Sequence, residues 1–184
     1  MNVAEMIKAA HDNACEKGFW EIMSALDVAH SKRGVEYGVA EGFLDALIAQ
    51  KIALISTEIA EFHAEAYERE STAMLEELAD VVIRVFDLFG FLGIEMNDDV
   101  FSSRLNTYST SSGCALALYR EVAMSVQHHR KGNDALFRAS LYACIFIAQD
   151  YAAYLYEDRY ALGKAITAKM EKNRSRPHKH NASY

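Results

Sequence analysis

Four carboxylates stand at helical spacing in two neighbouring segments of this chain. One segment reads ISTEIAEF and carries Glu58 and Glu61; the other reads LEELADVVIRVF and carries Glu77 and Asp80. Residues three apart share a helix face, so each pair presents two acids side by side. Asp80 follows Leu-Ala and precedes Val-Val-Ile, in a segment with no polar face of ordinary width. A carboxylate in such a helix has to be paired, neutralised or bound to a cation. If the two segments form an antiparallel helical hairpin, the four acids meet across it and raise each other's proton affinity. A divalent cation relieves that repulsion. The ligands are all oxygen and neither motif holds a histidine, which favours Mg²⁺ or Mn²⁺ over zinc. Mg²⁺ on carboxylates typically works on substrate phosphates. Spacing alone fits a solvated acidic face equally well, with ordinary ion pairs such as Asp80 with Arg84. The apolar flanks of Asp80 favour the cation.

The C-terminal segment supplies the opposite charge. Lys169, Lys172, Arg174, Arg176 and Lys179 face only Glu171 in a chain whose net charge is -7. Cations near an acidic metal site suit a polyphosphate, whose oxygens need positive charge beyond what the metal covers. The plainer alternative is a solvated tail that touches nothing.

Helices must position these groups. Proline occurs only at Pro177, so long uninterrupted helices are permitted. Residues 3–17 read as an amphipathic helix and 19–30 as a second, with a break at 31–34. A long helix is expected over 40–70, with Leu44, Leu47, Ile48, Ile52, Ile55, Ile59 and Phe62 spaced by threes and fours. After a turn at Ser71 and Thr72, residues 74–92 read as a helix apolar nearly all round, hence buried. Gly90 and Gly93 stand near its end, as a C-cap would. Asn97 can cap a short helix through Leu105. Residues 106–113 (NTYSTSSG) are the clearest linker. Helices follow at 114–130, 135–156 and 161–173, with a turn at 131–134. No segment alternates as a strand does. The fold class is all-α, a bundle of helical hairpins.

Composition narrows the function. The 184 residues make one domain, with 51% hydrophobic and 24% charged residues, as in globular chains. The acidic balance argues against a nucleic-acid binder. Three distant cysteines, Cys15, Cys114 and Cys144, form neither a disulfide framework nor a thiolate zinc site and fit a reducing cytoplasm. The N-terminus lacks the apolar core of a signal peptide. Residues 81–94 and 141–156 are too short or too polar to span a bilayer.

Taken together, KGFW (17–20), QKIALISTEIAE (50–61), EELADVVIRVFDLFG (76–90) and KMEKNRSRPHKH (169–180) resemble, in order, segments of the MazG-like all-α nucleoside triphosphate pyrophosphohydrolases. The resemblance covers 17–95 and 160–180. It implies hydrolysis of a (deoxy)nucleoside triphosphate between the α and β phosphates, giving monophosphate and pyrophosphate, in control of nucleotide pools. Glu58, Glu61, Glu77 and Asp80 would hold Mg²⁺ or Mn²⁺. Lys169, Asn173 and Arg176 would meet phosphates or sugar, and Lys51, Arg84, His180 and Trp20 are the further substrate contacts. A homo-oligomer, dimer or tetramer, is implied. Some relatives carry an extra acid where this chain has Thr57, which leaves Glu58 and Glu61 both open as general base. Relatives often read His-Gly where this chain has His180-Asn181. The base is not legible; a purine deoxynucleotide such as dGTP is preferred slightly over dUTP or dCTP. The rival from another class is a non-catalytic helical binding or assembly protein with solvated acids and an anion-binding tail.

On this reading the chain divides into a catalytic half (1–105), an intervening hairpin (106–160), and a final helix with basic tail (161–184). The hairpin reads as a degenerate second copy. A shift of 63 residues carries Glu58 to Glu121, Leu78 to Leu141 and Asp87 to Asp150, but Glu61 to Met124, Glu77 to Ser140 and Asp80 to Ala143. His11-Asp12 resembles the dipeptide of HD phosphohydrolases but lacks their upstream histidine. A ferritin-like di-iron site needs Glu-x-x-His pairs, which are absent. His63, His128 and His129 read as surface or helix-end residues, and Phe19 and Trp20 as base-stacking groups or core anchors.

Overall fold

The first helix begins with a reciprocal cap. The Asn2 side chain accepts the Glu5 N–H at 2.8 Å, and the Glu5 carboxylate accepts the Asn2 N–H at 2.9 Å, so two otherwise orphaned donors are satisfied. A computed structural model of the protein describes residues 1–21, 37–68, 71–102 and 107–175. It contains α1 (Val3–Glu16), α2 (Tyr37–Glu68), α3 (Ser71–Leu92), a 3₁₀ turn (Asp98–Ser102), α4 (Ser111–Arg130), α5 (Asp134–Tyr156) and α6 (Ala161–Arg174). No strand occurs among the described residues, and the fold is an all-α bundle. None of these helices is long and apolar enough to cross a membrane. Of the helix expected over 19–30 only 19–21 are described, and the tail beyond Ser175 lies outside the described residues.

Helix α3 is the axis of the bundle and packs against α1, α2, α5 and α6. Leu78, Val81, Val82, Val85, Phe86, Leu88 and Phe89 are fully buried, as expected for a helix apolar on nearly every side. Helix α2 lays the stripe Ile52, Ile55, Ile59 and Phe62 against it. Such side chains contribute about 1.5–3 kcal/mol each when buried, so this interface is a main anchor of the fold. Helix α4 packs on α2 and α5. One continuous core runs through these helices, with a small satellite formed by Ala14, Trp20 and Leu47.

Three boundaries differ from the sequence reading. Ser71 and Thr72 belong to the first turn of α3. Helix α4 starts inside the expected linker because the Thr110 hydroxyl accepts the Gly113 N–H at 3.1 Å. The segment after α3 is a 3₁₀ turn from Asp98, and the Asp98 carboxylate accepts the Val3 N–H at 2.6 Å, tying that turn to α1.

The two glycines of α3 have different reasons. Gly93, at φ 63°, ends the helix: Ile94 N–H reaches Phe89 C=O at 2.9 Å and Gly93 N–H reaches Gly90 C=O at 3.4 Å, the Schellman pattern. Gly90 is not a cap. A Cβ there would lie 2.4 Å from His11 Cβ, so its hydrogen is what lets α1 approach α3.

Displaced by 63 residues, α3 begins where α5 begins and ends one residue short of it. By the same shift α2 ends one residue past the end of α4. Asp87 and Asp150 fall at equivalent places and both are buried acceptors. Asp150 Oδ2 takes the Thr107 and Tyr108 N–H groups at 2.7 and 3.3 Å. No second acid cluster exists among the described residues. The hairpin α4–α5 supports α2 and α3 and brings no carboxylate set of its own.

Candidate functional site

Helices α2 and α3 bring Glu58, Glu77 and Asp80 together. Each offers a carboxylate oxygen, and the three oxygens lie within 4.8 Å of one another. They open onto a cleft of about 310 Å³. Arg84 from α3 and Lys169 and Asn173 from α6 share that wall; Asn13 of α1, and Lys17 and Phe19 just beyond that helix, form the other.

The acids are crowded more than they are compensated. Arg84 Nε donates to Glu58 Oε1 at 2.8 Å, yet burial pushes the Glu58 carboxyl up, against the pull of that guanidinium. Burial also pushes Glu77 up to about 7, with Asp80, Glu61 and Glu58 adding to the effect and Lys169 opposing it. Glu77 Oε2 is buried and has no hydrogen-bond donor. Lys169, only 5% exposed, sits 2.8 Å from Asp80, 3.3 Å from Glu76 and 3.7 Å from Glu77. Burial lowers the proton affinity of its ammonium, but the bond to Asp80 and the neighbouring charges outweigh that and leave it raised. The hydrogen bond from Lys169 pulls Glu76 down. An orphaned buried oxygen, three converging hard donors and a site short of positive charge are what a divalent cation satisfies. The residues therefore fit Mg²⁺ or Mn²⁺, with Glu58, Glu77 and Asp80 as ligands.

A second charged group centres on Asp87, which also lines the cleft. Asp87 is 4% exposed. Its Oδ1 accepts Trp20 Nε1–H at 2.7 Å and pairs with His11 Nδ1 at 2.9 Å, and its Oδ2 accepts from Lys51 Nζ at 3.2 Å. Burial lowers the proton affinity of Lys51, and Asp87 holds it up. Lys51 Nζ also lies 3.9 Å from the Trp20 ring centroid, and Trp20 stacks on Phe91 at 4.2 Å. One aspartate thus joins α1, the segment after it, α2 and α3. Cys15 Sγ lies 3.6 Å from His11 Nε2, which completes a Cys–His–Asp chain. Burial and the Asp87 charge push that thiol above its ordinary range, so it is no ready nucleophile at neutral pH.

The sequence-derived residues separate accordingly. Glu58, Glu77, Asp80, Arg84, Lys169 and Asn173 all meet at the cleft. Glu61 lines its mouth, exposed, outside the close triad of oxygens. Asp80 pairs with Lys169, while Arg84 pairs with Glu58; the pairing of Asp80 with Arg84 does not occur. Trp20 and Lys51 are buried behind the cleft and bind Asp87, so they brace the wall instead of lining it. Arg176 and His180 lie outside the described residues. Sequence reasoning missed Asn13, Lys17 and Asp87. For Asp87 the signal was present: it stands between Val85-Phe86 and Leu88-Phe89, a more apolar setting than that of Asp80. Asn13 left no signal and Lys17 only its place in the segment KGFW, because nothing local says that α1 crosses the acidic hairpin. His63 is exposed and His128 and His129 lie in the last turn of α4, as read.

The chain was compared with known protein families, curated proteins and solved structures, and nothing matched.

Proposed function

We propose that this protein is a metal-dependent nucleoside triphosphate pyrophosphohydrolase of MazG-like type, acting in the cytoplasm as a homo-oligomer and cleaving a (deoxy)nucleoside triphosphate to monophosphate and pyrophosphate. One observation supports it above the others: Glu58, Glu77 and Asp80 crowd within 4.8 Å, with Glu77 Oε2 unpartnered, at a cleft that the cations Lys169, Arg84 and Lys17 also line. Mg²⁺ or Mn²⁺ bound there would neutralise the polyphosphate and lower the pKa of a coordinated water. Lys169 and Arg84 exchange their carboxylate partners for phosphate oxygens and hold the charge that moves onto the leaving pyrophosphate. Glu61 stands at the mouth with no salt bridge among the described residues, whereas Glu58 is held by Arg84. Glu61 therefore takes the proton from the attacking water. The hairpin over 106–160 serves as a degenerate copy that keeps only the scaffold.

The test is release of pyrophosphate and monophosphate from a panel of common nucleotides plus dUTP, with Mg²⁺ or Mn²⁺. Asp80→Asn and Glu61→Gln each lower turnover by at least about 100-fold while circular dichroism stays unchanged. Orthophosphate in place of pyrophosphate refutes the bond assignment. Absence of turnover together with absence of metal binding leaves the helical binding protein, whose partner is then lost on deleting residues 174–184.

A further inference from the structure

Helix α2 has a second face, which no other described element covers. Ala46, Ala53 and Ala60 recur every seven residues, with Gln50 and Thr57 between them, and all five are exposed. Phe43 and Tyr67 close the strip, 46% and 90% exposed. Residues at this spacing share one side of a helix. The charged residues of α2 between Asp45 and Glu61 are Lys51 and Glu58, and both are buried. Helix α4 continues the face. Leu116, 72% exposed, lies along one side of it with the exposed Tyr119, Ala123 and Val126, while Arg120 and Glu121 pair with each other at 2.7 Å. The two helices run antiparallel: Asp45 lies 3.3 Å from His129, the Tyr119 hydroxyl donates to the Ser56 carbonyl at 3.5 Å, and Ser112 Oγ lies 3.5 Å from His63. Ala53 is therefore level with the middle of 116–126.

We infer that this face joins two copies of the chain about a two-fold axis at Ala53. The α2 strip is about 36 Å long, and the α4 strip, from Ser112 to Arg130, about 27 Å. At about 10 Å of width each, they offer roughly 600 Å² per copy and roughly 1,200 Å² per pair, above the roughly 1,000 Å² that a specific interface clears. The face is also its own complement when reversed. Antiparallel copies set Ala53 on Ala53 and Ala46 on Ala60 along α2, and Tyr119 on Ala123 and Leu116 on Val126 along α4. Two-fold association requires such a self-complementary patch, and alanine side chains let the α2 helices approach to about 8 Å. Thr57 belongs both to this strip and to the cleft wall, so the partner copy borders the mouth of the site. The dimer gives the homo-oligomer of the reading above its contact surface and draws nothing from the nucleotide chemistry.

Sedimentation velocity over a concentration series tests this. The wild type is expected to be dimeric. Ala53→Arg sets two guanidinium groups against each other on the axis and should raise the dimer Kd at least about 100-fold, with circular dichroism and Tm unchanged, since Ala53 is exposed and arginine is a good helix former. Ala123→Glu, on the other helix, should do the same and guards against a folding defect in the first variant. Phe146→Glu, exposed on α5 away from this face, should leave the dimer intact. A monomeric wild type, or a dimer that survives both Ala53→Arg and Ala123→Glu, overturns the inference. Ala53→Arg that lowers Tm without changing the mass places another segment of the same chain on the strip and overturns it too. A dimer without pyrophosphate release sinks the hydrolase and leaves the face standing; pyrophosphate release by a monomer does the reverse.

Discussion

Glu77→Gln should stabilise this protein without metal and destabilise it with metal. The folded chain holds the Glu77 carboxyl at about 7 against an ordinary 4.5, chiefly by burial. A folded-state value raised in this way means that the native state binds the proton more tightly than the unfolded chain does. The resulting stability is fully present below about 4.5 and is lost as pH rises through about 7. The shift corresponds to roughly 3 kcal/mol of unfavourable charging at high pH; with 18% of the side chain exposed and Lys169 nearby, roughly 2 kcal/mol is the working figure. Glutamine resembles the protonated acid. In EDTA at pH 8, Glu77→Gln should therefore raise Tm by roughly 4–8 °C, and at pH 4.5 it should change Tm little. Saturating Mg²⁺ stabilises the wild type in proportion to the logarithm of its concentration over Kd and leaves the variant unmoved, so the order of the two proteins reverses at pH 8. Thermal melts across pH, with EDTA and with Mg²⁺, read all of this. A variant no more stable than wild type at pH 8 in EDTA refutes the charge crowding; equal stabilisation of both proteins by Mg²⁺ refutes the ligand role.

Other expectations follow from the braced wall and the close helix crossing. Asp87→Leu strands the buried Lys51 ammonium and the donors of Trp20 and His11, a loss of about 3–5 kcal/mol; adding Lys51→Met should restore much of it in a urea melt, and purely additive losses would exclude the pairing. Gly90→Ala gains about 1 kcal/mol of helix propensity but forces a Cβ into His11 Cβ and Cγ at 2.4 and 2.9 Å. Overpacking of about 1–3 kcal/mol should win, so Tm falls and α1 amides exchange faster; an unchanged or raised Tm would count against the crossing. Cys15, its proton held by burial and by Asp87, should alkylate with iodoacetamide at pH 7.5 more slowly than free cysteine. Faster alkylation would mean that the His11 contact activates the thiol.

Much of this molecule could be read along the chain. Apolar residues by threes and fours gave α2 its buried stripe, and the lack of proline allowed α3 to run unbroken through the core. The turn chemistry of residues 131–134 placed the start of α5 within one residue: Asn133 caps it, accepting the Leu136 N–H at 3.2 Å. Capping residues in the linker were the weak point, since Thr110 could as well have stayed in a loop; its hydroxyl meets a helix start only because α4 has α2 and α5 to pack against.

The acids divide the same way. Spacing of three is a local property, so the chain itself puts Glu77 and Asp80 on one face of α3 and Glu58 and Glu61 on one face of α2. Which of them converge depends on how those helices meet. Packing seats Glu58 beside Asp80 and leaves Glu61 at the mouth. Asp80 and Asp87 both stand among apolar residues in the sequence, yet one joins the acid cluster beside Lys169 and the other closes a buried network with His11 and Lys51. The difference is one of position along the axis: the two aspartates share a face of α3, but seven residues on the neighbour is no longer α6 with Lys169 but α1 and α2 with His11 and Lys51. Helical periodicity fixes which residues share a face, whereas the partner that face meets is set by long-range packing, and here that packing decides which carboxylates could hold a cation.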